Sequence, residues 1–150
     1  MTPPLPLRVE PAVASDLAAV RRLLDFAELP DAGVETAFPD GYCVARDGDT
    51  LVAVAGLEAH GRVGLLRSVA VTRTHRGHAL ARRLVDDRMA HARALGLQAV
   101  YLLTARAGDY FRRLGFCDAT RAEAPADLRR SLEFSSLCPA SPTCLAKIVR

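Results

Sequence analysis

Apolar residues recur along the chain with two different periods, and the places where the period changes mark the elements. Leu7–Ala12, LRVEPA, alternates and predicts a first strand. Ser15 then stands where a helix N-cap belongs, ahead of Leu17, Val20, Leu23 and Leu24 at helical spacing. Leu29–Gly41 holds two prolines and two glycines around a short helical stretch. It predicts a loop-rich crossover that walls a substrate pocket. Tyr42–Arg46 and Leu51–Glu58 are apolar runs joined by Asp47, Gly48 and Asp49, which is a hairpin signal. A second turn at His60 and Gly61 leads into Arg62–Thr72, so three strands form a meander.

From His78 to Leu95 the period lengthens: Leu80, Leu84, Val85, Met89, Ala92 and Leu95 step by threes and fours, and Gly96 follows as a C-cap glycine. Ala99–Thr104, AVYLLT, predicts a strand buried on both faces. A short helix over Ala107–Leu114 ends at Gly115. The tail predicts a strand at Cys117–Ala122, a helix from Pro125 to Arg130 and a last strand at Cys144–Val149. This order argues an α+β fold with a largely antiparallel sheet.

The 150 residues suit one domain, 1–150, of a size that buries about two-thirds of its unfolded surface. The chain has neither a run of roughly 18 apolar residues nor a leader-like start, so a cytoplasmic protein without membrane contact is expected. A net charge of +3 is too slight to imply nucleic-acid binding. Its cations are arginines apart from Lys147, and arginine suits bidentate contact with phosphate or carboxylate. Cys43, Cys117, Cys138 and Cys144 include no CxxC pair, so free thiols and no metal site are expected. His75 and His78 read as hydrogen-bonding or surface groups of a loop rather than metal ligands.

The join from strand to long helix carries the chemistry. A helix N-terminus behind a glycine-containing loop presents unpaired N–H groups and the positive end of the macrodipole, which together hold phosphate. Arg73, Arg76, Arg82 and Arg83 add charge there.

The run SVAVTRTHRGHALARRLV, followed by YLLTARAGDYFRRLGF, resembles the GNAT superfamily of N-acetyltransferases. The signature of that family is Arg or Gln, two residues, Gly, one residue, then Gly or Ala. Here the window is Arg76, Gly77, His78, Ala79, Leu80 and Ala81, with Ala79 at the central glycine. The resemblance implies a GNAT fold, a mixed and mostly antiparallel central sheet flanked by helices with a splay between the fourth and fifth strands. It also implies acetyl-CoA as acetyl donor, with its pyrophosphate on the backbone of Arg76–Ala81 and its pantetheine arm along Val69 and Val71. A backbone N–H near Ala70 or Val71 would polarise the thioester carbonyl, and Glu58 is the best-placed carboxylate to draw off the amine proton. The tyrosine that protonates the departing thiolate in many members is here Phe111, with Tyr110 one residue earlier and about 100° around the helix.

Arg67, inside an apolar strand, and Arg106, after the fifth strand, are the acceptor-side candidates. LLTARAGDYFRRLGF is similar to the transferase domain of N-acetylglutamate synthase, which implies that Arg106 grips an amino-acid carboxylate. LLRSVAV and EFSSLCPASPTCL resemble the arsenic-resistance N-acetyltransferases, which implies a glutamate-like acceptor. A CoA-binding sensor without turnover, suggested by Ala79 and Phe111, and a protein N-acetyltransferase remain as rival readings, and the pattern leaves room for a homodimer.

Overall fold

Seven strands lie in one sheet in the order β1-β2-β3-β4-β5-β7-β6 in the computed structural model, which describes residues 7–77, 79–131 and 143–150. The strands are β1 Arg8–Pro11, β2 Tyr42–Asp47, β3 Thr50–His60, β4 Val63–Val71, β5 Ala99–Thr104, β6 Cys117–Asp118 and β7 Thr143–Ile148. The helices are α1 Leu17–Phe26, α2 Val34–Ala37, α3 Leu80–Ala94, α4 Gly108–Arg113 and α5 Ala126–Arg129. β1 pairs antiparallel with β2, β2 with β3, and β5 and β6 with β7, while β4 and β5 run parallel. The expected α+β sheet with one parallel join is therefore present.

The chain divides into two compact units, and β3, β4 and α3 each run from one into the other. The first comprises the residues up to Gly56 together with Ser68–Arg88. Within it Val20, Leu24, Val34, Tyr42, Val44, Val54 and Ala70 form one apolar cluster. Cys43, Ala45, Val52, Ala53, Ala55, Leu80 and Leu84 form another, against which Val69 and Val71 pack. Alternation along β2 and β4 divides these residues between the clusters, because successive strand side chains point to opposite faces.

Ser15 does not cap α1: Ala14–Asp16 form a 3-10 turn, and Ser15 is exposed within it. Asp16 takes over the polar work, accepting the Val13 N–H at 2.9 Å and two bonds from Arg46 at 3.0 and 2.7 Å. Arg46 also pairs with Glu10. The Arg46 hydrogen bonds outweigh burial and hold the Asp16 carboxyl below its ordinary range. A residue that offers a partner on a neighbouring strand thus displaces a local cap.

The second unit holds Leu57–Arg67 and Met89–Arg150. Val63, Leu65, Ala124, Leu128 and Cys144 form its described apolar cluster. Gly96 closes α3 with φ +76°, its N–H on the Arg93 carbonyl at 3.0 Å and the Leu97 N–H on that of Ala92 at 3.0 Å. This is the left-handed cap the glycine predicts. β5 alternates rather than being buried on both faces, since only Val100 and Leu102 are fully covered. The predicted strand at Cys117–Ala122 shrinks to Cys117–Asp118, and Arg121–Glu123 turn into a 3-10 helix.

Candidate functional site

In the first unit β4 carries an irregularity in its middle: Ser68 has φ +60°, inside a strand whose residues are otherwise extended. Its hydroxyl lies 3.4 Å from the Tyr42 phenol, and both side chains are buried. The Tyr42 ring lies on Gly56, where an added Cβ would come within 2.4 Å of it. This explains a glycine in an otherwise aliphatic strand.

Beyond β4 the chain turns through a 3-10 stretch, Arg73–His75, and reaches α3 through two left-handed residues, Gly77 at φ +88° and Ala79 at φ +56°. Gly77 has open space where a Cβ would stand. Ala79 occupies a conformation that costs a residue bearing a Cβ about 1–2 kcal/mol. The Arg83 N–H reaches the Ala79 carbonyl at 3.1 Å, so α3 starts from Ala79. The amides of Leu80, Ala81 and Arg82 in its first turn then have no acceptor within the helix. Ala79 is exposed, Ala81 half-buried and Leu80 buried. His78 lies outside the described residues.

The arginines of this loop divide their work. Arg76 turns its Nε back onto the Val71 carbonyl at 3.2 Å, and Arg83 donates to the Leu7 carbonyl at 2.9 Å. His75 is a brace: its Nε2 meets Asp47 at 2.9 Å and its Nδ1 meets Thr72 at 2.9 Å. Replacing Ala79 with glycine is expected to raise stability by up to about 1 kcal/mol, because glycine adopts positive φ without a Cβ penalty. The same change should tighten CoA binding severalfold, read by thermal melts and by titration with CoA. A destabilised Ala79→Gly protein would contradict this reading of the loop.

In the second unit the β4 and β5 registers match Val63 with Ala99, Gly64 with Val100 and Leu65 with Tyr101. β5 then continues to Thr104 in register with β7. The parallel pairing thus stops short, and the splay expected between these strands follows Leu65.

Glu58 and Arg67 belong to the same unit. Arg67 is 3% exposed and Glu58 8%, and Arg67 Nη1 donates to Glu58 Oε2 at 3.0 Å. The anion that holds Arg67 is therefore Glu58, which is itself a buried group and not an exposed strand end. His60 completes the set, with Nε2 at 2.9 Å from Glu58 Oε1. Burial pushes the Glu58 carboxyl up, but the His60 hydrogen bond and the Arg67 charge outweigh it and hold it below its ordinary value. His60 is the last residue of β3 rather than a turn residue. One signal in the sequence points to it: residues two apart on a strand share a face, so Glu58 and His60 were bound to lie side by side.

Arg106 is exposed in the turn between β5 and α4, a turn shaped by Thr104 Oγ1, which accepts the Ala107 N–H at 2.9 Å. On α4, Phe111 is buried and stacks edge-on with Phe116 at 5.8 Å and with Tyr110 at 5.4 Å. Packing thus occupies the position at which many relatives carry a tyrosine. Cys43, Cys117 and Cys144 are free thiols, and burial pushes Cys43 up to about 12. Cys138 lies outside the described residues. Among those residues there is no cluster of metal-ligating side chains and no helix long and apolar enough to cross a membrane.

The model of the Acetyltransferase (GNAT) family matches residues 13–116. The chain belongs to that family. No curated protein sequence matches it. Among solved structures, this GNAT chain is similar to N-acetylglutamate synthase from Neisseria gonorrhoeae complexed with coenzyme A and N-acetyl-glutamate. The TM-score is 0.84 at 17% identity, over 97% of this chain and 36% of the synthase, so the chain spans little more than a third of that enzyme. Rv2747 from Mycobacterium tuberculosis, in complex with CoA, matches with a TM-score of 0.81 at 25% identity, over 95% of this chain and 99% of that one. A GNAT-family acetyltransferase from Staphylococcus aureus Mu50 gives 0.79 at 12% identity, over 97% and 100%.

Proposed function

We propose that this GNAT protein moves the acetyl group of acetyl-CoA to the amine of a small molecule, an amino acid or a glutamate-like toxic analogue of the arsenic-resistance type. The observation that carries the donor half is the loop from Arg76 to Ala81, with its left-handed Gly77 and Ala79 opening the first turn of α3. Amides that a helix cannot pair internally are the groups a pyrophosphate takes up. Family membership and the CoA bound to the two structural neighbours support the same donor.

In this reading Val69 and Val71 offer backbone to the pantetheine arm, an N–H near Ala70 or Val71 faces the thioester oxygen, and Glu58 drives removal of the amine proton. Arg67 and Arg106 belong to the acceptor side, Arg106 as the carboxylate clamp. The free thiols of Cys43, Cys117 and Cys144 support action in a reducing cytoplasm. The N-acetyl-glutamate in the synthase neighbour supports an amino-acid acceptor.

Thiol release from acetyl-CoA over a panel of amino acids and glutamate analogues tests the proposal. Tight CoA binding with no release on any amine would favour a sensor, the reading to which Phe111 and Ala79 lend support. Within an active enzyme, Arg106→Ala is expected to raise the acceptor KM about 10- to 100-fold, the worth of a charged hydrogen-bonded contact. CoA affinity should stay within twofold, and an unchanged acceptor KM would remove Arg106 from the site.

A further inference from the structure

We propose that His60 is the group that takes the amine proton, through Nδ1, and that Glu58 serves it as a positioning carboxylate pinned by Arg67. The inference rests on the acetyl-transfer reading above and assigns a residue to its proton-transfer step.

A carboxylate is an acceptor only, so the 2.9 Å contact between Glu58 Oε1 and His60 Nε2 requires the hydrogen to sit on Nε2. In a neutral imidazole the lone pair is then on Nδ1, the nitrogen turned away from Glu58. The other Glu58 oxygen is occupied by Arg67 Nη1 at 3.0 Å. Both oxygens are thus committed to donors, and the carboxylate is held as an anion. Protonating it would leave the Arg67 cation buried beside a neutral acid, with a side chain only 1% exposed. That makes Glu58 a poor resting place for a proton and a good counter-charge for one held next to it. This is the geometry of a base oriented by a third group, in which the carboxylate fixes the tautomer and steadies the imidazolium.

His60 is also the member of the set with a route outward. Its side chain is 23% exposed, against 10% for Glu58 and 1% for Arg67. The proton balance is simple. The amine N–H bond breaks as nitrogen attacks the thioester carbon, its proton goes to His60 Nδ1, and the imidazolium passes it to water. The CoA thiolate leaves with the electron pair of the broken C–S bond.

The charged groups around His60 come from three elements. Glu58 is on its own strand and Arg67 on β4. From α5, Asp127 reaches the adjoining turn, where an added Cβ on Gly61 would lie 2.3 Å from its Oδ2, while its Oδ1 accepts from Arg130 at 2.6 Å. Asp127 thus has a cation of its own, and Glu58 is the carboxylate joined to the ring.

The test uses the whole chain with acetyl-CoA and its best acceptor. His60→Gln keeps a hydrogen-bond donor for Glu58 but has no titratable nitrogen. It is expected to lower kcat/KM on the order of 10²-fold. The acidic limb of the pH profile, which falls in the range where imidazoles titrate, should disappear with it. His60→Ala should regain part of its activity when imidazole is added, and CoA affinity should be unchanged in both. If His60→Gln lies within twofold of the parent and keeps the acidic limb, the proposal is overturned and Glu58 or water is the base. An unrescued His60→Ala would place His60 among structural residues and overturn it equally. Failure of the parent chain to release CoA with any amine would overturn the transferase reading along with it. A silent His60→Gln in an active enzyme overturns this inference alone.

Discussion

Arg67→Met should lower the stability of the folded protein by about 3–5 kcal/mol, measured by urea unfolding at neutral pH. The cost comes from what is left behind. Glu58 is 8% exposed, and without the guanidinium it keeps its charge in a poorly solvated place with only His60 to meet it. Arg67→Met combined with Glu58→Gln should recover a large part of the loss, because no uncompensated charge then remains buried. If the single variant were as stable as the parent, the pair would be more solvated than its burial implies.

The same pair sets a pH dependence. Burial raises the Glu58 carboxyl, the His60 hydrogen bond and the Arg67 charge lower it, and the net result is a value below the ordinary one. The unfolded state therefore binds the proton more tightly. The stability this confers is fully present above the unfolded carboxyl pKa and is lost as pH falls through the folded value. In Arg67→Met the loss on acidification should shrink, since what acid would forfeit has already been removed.

Phe111→Ala is expected to cost about 3–5 kcal/mol, the usual penalty for emptying a buried aromatic site. Phe111 is 7% exposed and touches two other rings, Phe116 at 5.8 Å and Tyr110 at 5.4 Å, both in tilted edge-on geometry. Both partners lose a neighbour when the ring goes, and α4 has six residues with which to hold its place. A loss under 1 kcal/mol would show that the helix end can collapse into the space. Phe111→Leu, which keeps most of the volume, should lose clearly less than Phe111→Ala. These results would identify the residue as a packing group, and thiolate protonation would then have to come from elsewhere or from water.

Much of the fold is legible in periodicity. The run from Leu80 through Ala92 steps as a helix must, and Gly96 ends it with the positive φ that only glycine adopts without cost. The β2 and β3 hairpin follows from alternation around Asp47–Gly48–Asp49. Where the reading fails, a partner distant in sequence decides. Ser15 has the right chemistry for a cap, yet Asp16 is the residue that Arg46 of β2 can hold. Cys117–Ala122 has a strand-like composition, but β7 pairs with Cys117 and Asp118, after which the chain turns into a 3-10 helix.

The candidate site divides in the same way. Its position was in the sequence: a β-rich run, a loop with Gly77, and an amphipathic helix locate the donor loop, because each of those signals is local. The sign of φ at Ala79 was not, since the sequence fixes only that a Cβ is present and the path of the chain into α3 decides the dihedral. Nor was the use of Arg67. A guanidinium in an apolar strand must find an anion, and that need is readable from burial and charge alone. Its partner turned out to be Glu58 across the β3–β4 turn, with His60 on the other oxygen, and only the tertiary structure settled this, because strand register determines which side chains meet.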